Sequence, residues 1–408
     1  MGFNASDFPD LELKKLQKLV ERFATPPNLI LLNMFGSDKW DSDKIEWETQ
    51  IGSRGLTPFV APGVQSPLLS TEGTGISEAY AASWKEKMFF DEHFLNNLRT
   101  PGTREQHYSK QKRIAKETQK LKNRSLRRKE WMLAKMLTGG TMSYLVQNGL
   151  KYSLDYGIPS ENAVSLASSR YWEDGSSRNI VEDIFDAQLT MSNANSGKLT
   201  NAIFTTEILK LMVFDPSIQT LLSKSSYGDG DLFARPVEVL GTLLGIPKMY
   251  LYDEQYQIKA WLTAVVTADS TVAVSVDDTT DFEVGETLYF YDVSAKTKEG
   301  ETISSIDSQA GTVTVSTAPS TSYKANEDYV YMNKKFIPTT KFCCWCDQVE
   351  GEKIAEFADA PYGLDRIWGM KLDDHEEWDP DGIAIRCQNK GLPVLYQEDG
   401  VYILTVND

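Results

Sequence analysis

The 408-residue chain is poor in the residues that most chemistry needs. Its three histidines, His93, His107 and His375, are scattered and lack metal-ligand spacing. There is no GxxxxGK[ST] and no GxGxxG after a strand, so no phosphate-cradling loop, and no GxSxG elbow. No apolar run is long enough to span a membrane as a helix, so no membrane partner is expected. Met1–Asn4 carries neither a basic flank nor an apolar core, so no secretory signal is expected. Of four cysteines, three lie in Lys341–Cys346 (KFCCWC) and the fourth is Cys387. Cys343 and Cys346 formally make a CxxC, but the run reads as a strand. Successive residues of a strand face opposite sides, so Cys343 and Cys344 cannot reach one ion. Buried reduced thiols are expected instead. Asp373–Gly382 (DDHEEWDPDG) lacks the ligand spacing of a calcium loop and reads as an acidic turn. No catalytic constellation and no cofactor emerges, which points away from an enzyme.

What the chain does have is one long basic stretch, Thr103–Thr138, without proline or glycine. Ile114, Thr118, Leu121, Ser125, Met132 and Met136 follow three- and four-residue steps, the period of a helix burying one narrow stripe. At 1.5 Å per residue it would run roughly 50 Å. Thr103 is a plausible N-cap, and Gly139-Gly140 marks the end. The stretch holds twelve Lys or Arg against three Glu, a net +9 in a chain of −16, so the remainder carries −25. Two readings stay open. The cations can pair with acidic neighbours along a solvated helix, or they can present positive charge to a polyanion or an acidic partner subunit. Lys112, Arg113, Lys116, Lys120, Arg124, Arg127 and Arg128 are the residues that would do so.

The rest of the chain alternates between helical and strand patterns. Asp10–Phe23 reads as an amphipathic helix stopped by Pro26-Pro27, Leu29–Phe35 is apolar, and Lys44–Ile51 alternates as a strand. Gly52–Ser83 is rich in glycine and proline and nearly uncharged. Lying between the strand-like Lys44–Ile51 and Trp84–Phe90, it reads as a long hairpin that needs another surface to lie on. Met142–Val146 and Leu150–Tyr156 flank an Asn148-Gly149 hairpin signal. Ile180–Asn193, Glu207–Phe214 and Ser217–Leu222 read as helices; Ala202–Thr205, Val237–Leu244 and Met249–Tyr252 read as strands. From Gln257 to about Lys335 every stretch is short, alternating and β-branched, the mark of a small all-β sandwich or barrel inserted into a mixed α/β chain. Leu392–Leu395 and Val401–Val406 close the chain as strands.

Taken in order, these pieces resemble the major capsid proteins of tailed double-stranded DNA phages, more narrowly the lambda-type phage major capsid protein E family. Arg54-Gly55-Leu56-Thr57-Pro58-Phe59-Val60-Ala61-Pro62 resembles that family's glycine- and proline-rich segment. Leu98–Gly102 (LRTPG) resembles its entry into a long helix, and Glu130–Gly139 (EWMLAKMLTG) the close of that helix. Trp378–Ile383 and Leu392–Val394 resemble its C-terminal pieces.

The resemblance implies an α+β fold of the Hong Kong 97 type. Residues 1–50 would be an N-terminal arm and 51–90 an E-loop lying on a neighbouring subunit through Arg54, Leu56, Pro58, Phe59, Val60 and Pro62. Residues 91–158 would form the peripheral domain with its spine helix 103–138, and 159–257 the axial domain. Residues 258–335 would be the inserted all-β domain, 336–379 the peripheral return and 380–408 the closing axial strands. The function implied is a major capsid protein assembling through hexamers and pentamers into an icosahedral shell around double-stranded DNA. The virion would be its home, after assembly in the host cytoplasm. Its partners would be further copies of itself, a separate scaffolding protein, a portal, and packaged DNA without sequence readout. Some relatives weld subunits through an E-loop Lys and an Asn. Gly52–Ser83 contains neither, so non-covalent contacts or a decoration protein would hold this shell. The rival readings are a nucleic-acid-binding protein using the basic helix as a coiled coil, whose apolar seam Arg128 and Lys129 interrupt, and an adhesin or virion accessory protein built on the β module.

Overall fold

A computed structural model describes residues 26–49, 59–60, 65, 75–91, 104–145, 151–173, 176–193, 197–279, 281–349, 352–363, 366–378 and 381–407. The helix expected at Asp10–Phe23 lies outside them. Two compact units emerge: one joins the chain up to Tyr252 with Ile337 onward, and the other is Asp253–Phe336.

The first unit opens with α1 (Ile30–Phe35), β1 (Ser37–Lys39), β2 (Lys44–Thr49), β3 (Gly75–Tyr80) and β4 (Ala82–Asp91), then the 36-residue α2 (Arg104–Gly139). The end of α2 is fixed by Gly140, which adopts φ +62° where a side chain is strained and where a Cβ would sit 3.1 Å from Ile158. Next come β5 (Thr141–Leu145), β6 (Lys151–Asp155), β7 (Ala163–Ser165), α3 (Ile180–Asn193), β8 (Asn201–Phe204), α4 (Thr206–Val213), α5 (Pro216–Ser223), α6 (Asp229–Ala234), α7 (Pro236–Leu244) and β9 (Lys248–Leu251).

The strand expected over Val237–Leu244 is therefore the helix α7. Pro236 at its first position and Gly245 in the left-handed conformation at its end frame a helix. Its buried Val239, Leu240 and Leu244 fit a helical face as well as they fit an apolar strand. The Asp215-Pro216 break is also a start signal: the Asp215 carboxylate accepts the Ser217 and Ile218 N–H groups at 2.8 and 3.3 Å and caps α5.

The second unit contains β10 (Gln255–Trp261), β11 (Ala273–Ser275), β12 (Thr287–Asp292), β13 (Thr297–Asp307), β14 (Thr312–Val315) and β15 (Tyr329–Lys335). They pair in the order β10-β15-β12-β13-β14-β11. An antiparallel bridge between Leu262 and Val276, just past β10 and β11, joins the two ends of that order, so the sheet closes on itself. Alternation puts Ala260, Val274, Leu288, Phe290, Ile303, Val313, Val330 and Met332 inside. The sequence pattern starts this stretch at 258; the first strand begins earlier because Gln255 and Tyr256 pair with Lys335 and Lys334.

The chain returns to the first unit with β16 (Lys341–Trp345), β17 (Gln348–Val349), β18 (Glu352–Lys353), β19 (Ala355–Asp359), β20 (Lys371–Trp378), β21 (Asp381–Leu395) and β22 (Val401–Thr405). Asp373–Trp378 is thus strand rather than acidic turn. His375, Glu376 and Glu377 register with Ala384, Ile383 and Gly382 on β21, and the register runs on to Trp378 with Asp381. Asp373 pairs with Arg386 on β21 and with Lys371, at 2.9 and 3.3 Å, which lowers the repulsion among the acids of the strand.

Among the described residues, the first unit holds three two-stranded sheets, β2 with β3, β5 with β6 and β17 with β18, and two five-stranded ones. In one, the 15-residue β21 has β4 along one edge and β20, then β19, along the other, with β1 parallel to β19. The strand expected at Trp84–Phe90 therefore pairs with the C-terminal β21 rather than with Lys44–Thr49, whose partner is β3. The other sheet is mixed, in the order β7-β22-β16-β8-β9, with α3, α4, α5 and α7 in the same unit.

Candidate assembly surfaces

The long helix is central to the first unit, packing against β21, β4 and α1. Of its predicted stripe, Thr118, Leu121, Ser125, Met132 and Met136 are all inside, and the Ile114 side chain lies outside the described residues. The last two turns are buried more completely, through Trp131–Thr138 apart from Lys135. Two charges go in with them. Lys129, on the stripe itself, places Nζ 2.5 Å from Asp359 Oδ1 on β19 and 4.7 Å from the Phe357 ring. Both partners are nearly inaccessible, so each neutralises a charge that burial would otherwise make costly.

Glu130 is fully buried. Its carboxylate accepts the Leu31 N–H at 2.9 Å, the Leu32 N–H at 2.8 Å and the Tyr252 hydroxyl at 2.7 Å. It thereby takes two donors that α1 leaves open at its N-terminus, where no side chain of α1 caps them.

The outer cations behave differently. Arg124 Nε lies 2.7 Å from Glu86 on β4, and Lys120 sits 2.7 Å from Glu117 one turn back. Arg128 and Lys135 stack over Trp131 at 5.0 and 5.8 Å. Lys116 and Arg127 are exposed. Lys112 and Arg113 lie in the helix, with side chains outside the described residues. The helix thus uses much of its described charge on acids and rings of its own chain, as the first of the two sequence readings has it.

The glycine-rich hairpin is anchored by β2 and β3, paired from Lys44↔Tyr80 to Thr49↔Gly75. Ile45 and Trp47 are buried on one face, while Ile76 and Tyr80 are 71% and 55% exposed. Phe59 and Val60 are exposed; Arg54, Leu56, Pro58 and Pro62 lie outside the described residues.

The four cysteines are free and buried. Burial pushes the Cys343, Cys346 and Cys387 thiols up to about 12, away from the thiolate that metal binding or redox exchange requires. Among the described residues, no cluster of histidine, cysteine and carboxylate side chains could hold a metal ion.

On the closed β sheet, Trp261, Tyr289, Tyr291, Tyr329 and Tyr331 point outward. Tyr289 stacks on Tyr331 and Tyr291 on Tyr329 at 5.2 and 5.0 Å, and Lys259 covers Trp261 and Tyr329. The rings largely occupy one another's faces, which makes them a cross-strand ladder rather than an open platform.

This mixed α+β fold matches phage capsid proteins. The chain superposes on the putative capsid protein of an Escherichia coli CFT073 prophage with a TM-score of 0.50 at 13% identity, covering 100% of this chain and 99% of that one. It superposes on a phage-related protein from Bordetella bronchiseptica RB50 with a TM-score of 0.50 at 7% identity, covering 96% of each. No curated protein matches the chain significantly by sequence. The sequence profile of the family described as phage major capsid protein E matches residues 13–285, two thirds of the chain. The chain belongs to the phage major capsid protein E family, and it is a shell-forming major capsid protein of a phage head. That match runs into the β unit and stops short of Trp378–Ile383 and Leu392–Val394, so those two likenesses lie outside it.

Proposed function

We propose that this capsid protein closes its shell through rings of five and six copies, in which the β2–β3 hairpin is the arm laid on a neighbouring subunit. The observation that carries the reading is the two-sidedness of that hairpin. Its base is buried through Ile45 and Trp47, while Ile76, Tyr80 and the more distal Phe59 face water with no core of their own. A second copy would supply the missing surface.

The exposed part of the basic helix, with Lys116, Arg127 and Arg128, then faces an acidic neighbour or the packaged DNA. Lys120, Arg124 and Lys129 pair with carboxylates of their own chain, and the exposed Lys116 and Arg127 are the positions to meet an acidic neighbour. Contact with DNA would be through phosphates alone and would weaken with salt. The β unit Asp253–Phe336 acts as an inserted module. Its ends support this, since Gln255 pairs directly with Lys335 and a surface loop could accept both. A scaffolding protein, a portal and a decoration protein complete the set of partners, and the virion is the final location. The protein serves as a building block rather than a catalyst.

Expression of the full chain alone and with a scaffolding partner, followed by sedimentation and negative-stain microscopy, tests this. Closed shells, or rings of five and six, are expected. A monodisperse monomer or dimer in both preparations overturns it.

A further inference from the structure

The β2–β3 hairpin is joined to the rest of the first unit by two legs. On the outgoing leg Ala81 alone separates β3, whose partner is β2, from β4, whose partner is β21. Each strand is fixed by its own ladder, so the angle between hairpin and sheet is set at that one residue. On the incoming leg, just before β2, the Trp368 indole N–H donates to the Trp40 carbonyl at 2.8 Å and the Arg366 guanidinium to that of Asp41 at 2.6 Å.

Three contacts close this root. The Ala81 N–H donates to the Asp43 carbonyl at 2.9 Å and ties the two legs together. The Asp43 carboxylate lies 2.7 Å from Lys390 Nζ, on β21 at the position that registers with Ser83. The Tyr144 hydroxyl, on β5, donates to the Tyr80 carbonyl at 2.5 Å. Asp43 and Tyr80 are both exposed, and polar ties to exposed groups add little to stability. Their leverage on direction is large. The six pairs from Lys44↔Tyr80 to Thr49↔Gly75 make a ribbon. At the usual strand rise such a ribbon is about 17 Å long, so a tilt of about 10° at its root moves the far end by about 3 Å. Interface geometry tolerates far less than that.

We infer that Lys390 and Tyr144 are positioning residues for assembly: by holding Asp43 and Tyr80 they set the angle at which the β2–β3 arm leaves its own subunit. The inference rests on the reading of that hairpin as the arm laid on a neighbour. Both residues act through the arm and need make no contact with the neighbour themselves. Losing them leaves the hairpin paired and its buried Ile45 and Trp47 in place, but lets the ribbon swing about Ala81.

The test reads angle and assembly separately. The full chain carrying Glu48→Cys on the arm and Lys85→Cys on β4, both exposed positions, takes one spin label at each, because the four native thiols are buried. Pulsed electron resonance on the unassembled chain is expected to give one narrow distance distribution. Adding Lys390→Met with Tyr144→Phe is expected to widen it at least twofold, and an unchanged width overturns the inference. In the unlabelled chain the same two substitutions are expected to lower the yield of closed shells at least tenfold with the thermal unfolding midpoint unchanged. Lys390→Arg, which keeps the pair with Asp43, is expected to assemble like wild type. Normal shells from the double variant, or a Lys390→Arg chain as poor as Lys390→Met, overturn the inference. Normal shells despite a widened distribution remove the arm reading as well. Failure of the wild-type chain to assemble at all is the separate result that removes the shell reading.

Discussion

The two compact units use their charged residues in opposite ways. In the first unit, Lys129 and Glu130 are buried and bind elements remote in sequence, β19 in one case and α1 with Tyr252 in the other. In the second, the core cluster is apolar with Asp328 the buried charge beside it, and most carboxylates sit at turns and tie nearby segments, Asp253–Lys335 at the unit's two ends being the long-range pair. Asp292 accepts the Ser294 and Ala295 N–H groups, Glu299 those of Ser320 and Thr321, and Asp328 those of Val293 and Lys324. A buried long-range charge fixes which elements meet, whereas a turn carboxylate refines a geometry the strands already set. The first unit should accordingly be brittle to single substitutions, and the second tolerant.

The sharpest break of that contrast is Lys129→Met. It strands Asp359 in a buried site and is expected to cost roughly 3–5 kcal/mol, read as a lowered denaturant midpoint. Pairing it with Asp359→Leu removes both charges and should recover most of the loss; no recovery would mean that packing, not charge, was at stake. Glu130→Gln keeps the shape but replaces one acceptor oxygen by a donor facing N–H groups, and about 2 kcal/mol is expected. Glu299→Gln in the second unit should cost no more than about 1 kcal/mol. If Glu299→Gln proved as damaging as Glu130→Gln, the contrast would collapse.

Acid separates the units further. Burial alone would raise Glu299, but the Ser320 and Thr321 N–H groups outweigh it and hold the carboxyl low; the Ala295 N–H, with the Ser294 hydroxyl, does the same for Asp292. A lowered folded value means stability present above the ordinary carboxylate range and lost as pH falls through it. In the first unit Asp183, Glu398 and Asp399 are raised, chiefly by burial, so the unfolded chain loses their protons first. Their contribution weakens as pH rises from the ordinary carboxylate range through the folded values. Between about pH 4 and neutrality the first unit should gain slightly on acidification, and below that the second should weaken. The smallest effect is a probe rather than a perturbation. All four cysteines lie in the first unit, so thiol labelling of the native protein should be negligible and should rise only when that unit opens, even after the second has unfolded.

Much of this was readable in the sequence because it is periodic. The long helix, its stripe, its glycine stop and the alternating β stretch follow from spacing alone. What escaped was decided by tertiary context. Lys129 falls on the stripe between Ser125 and Met132, where a cation breaks the apolar seam; that break was the visible trace of a buried ion pair, but its partner lies 230 residues away. Val237–Leu244 was ambiguous because a short apolar run fits either period, and Pro236 with Gly245 held the deciding information. The acid-rich Asp373–Trp378 pairs as a strand, where Arg386, on the partner strand, and Lys371 lower the repulsion at Asp373. No local pattern announces the tie between Asp43 and Lys390, which meet only in the fold.

The Leu262–Val276 bridge has a consequence for a protein that works in many copies side by side. An open six-stranded sheet would leave two strands with unsatisfied backbone groups, each a template for the same strand of the next copy. At the local density of a shell such templates would meet constantly and zip neighbouring subunits together in unplanned registers. By joining the ends of its own sheet, the β unit offers no such template there, and crowding is left to act only through side chains.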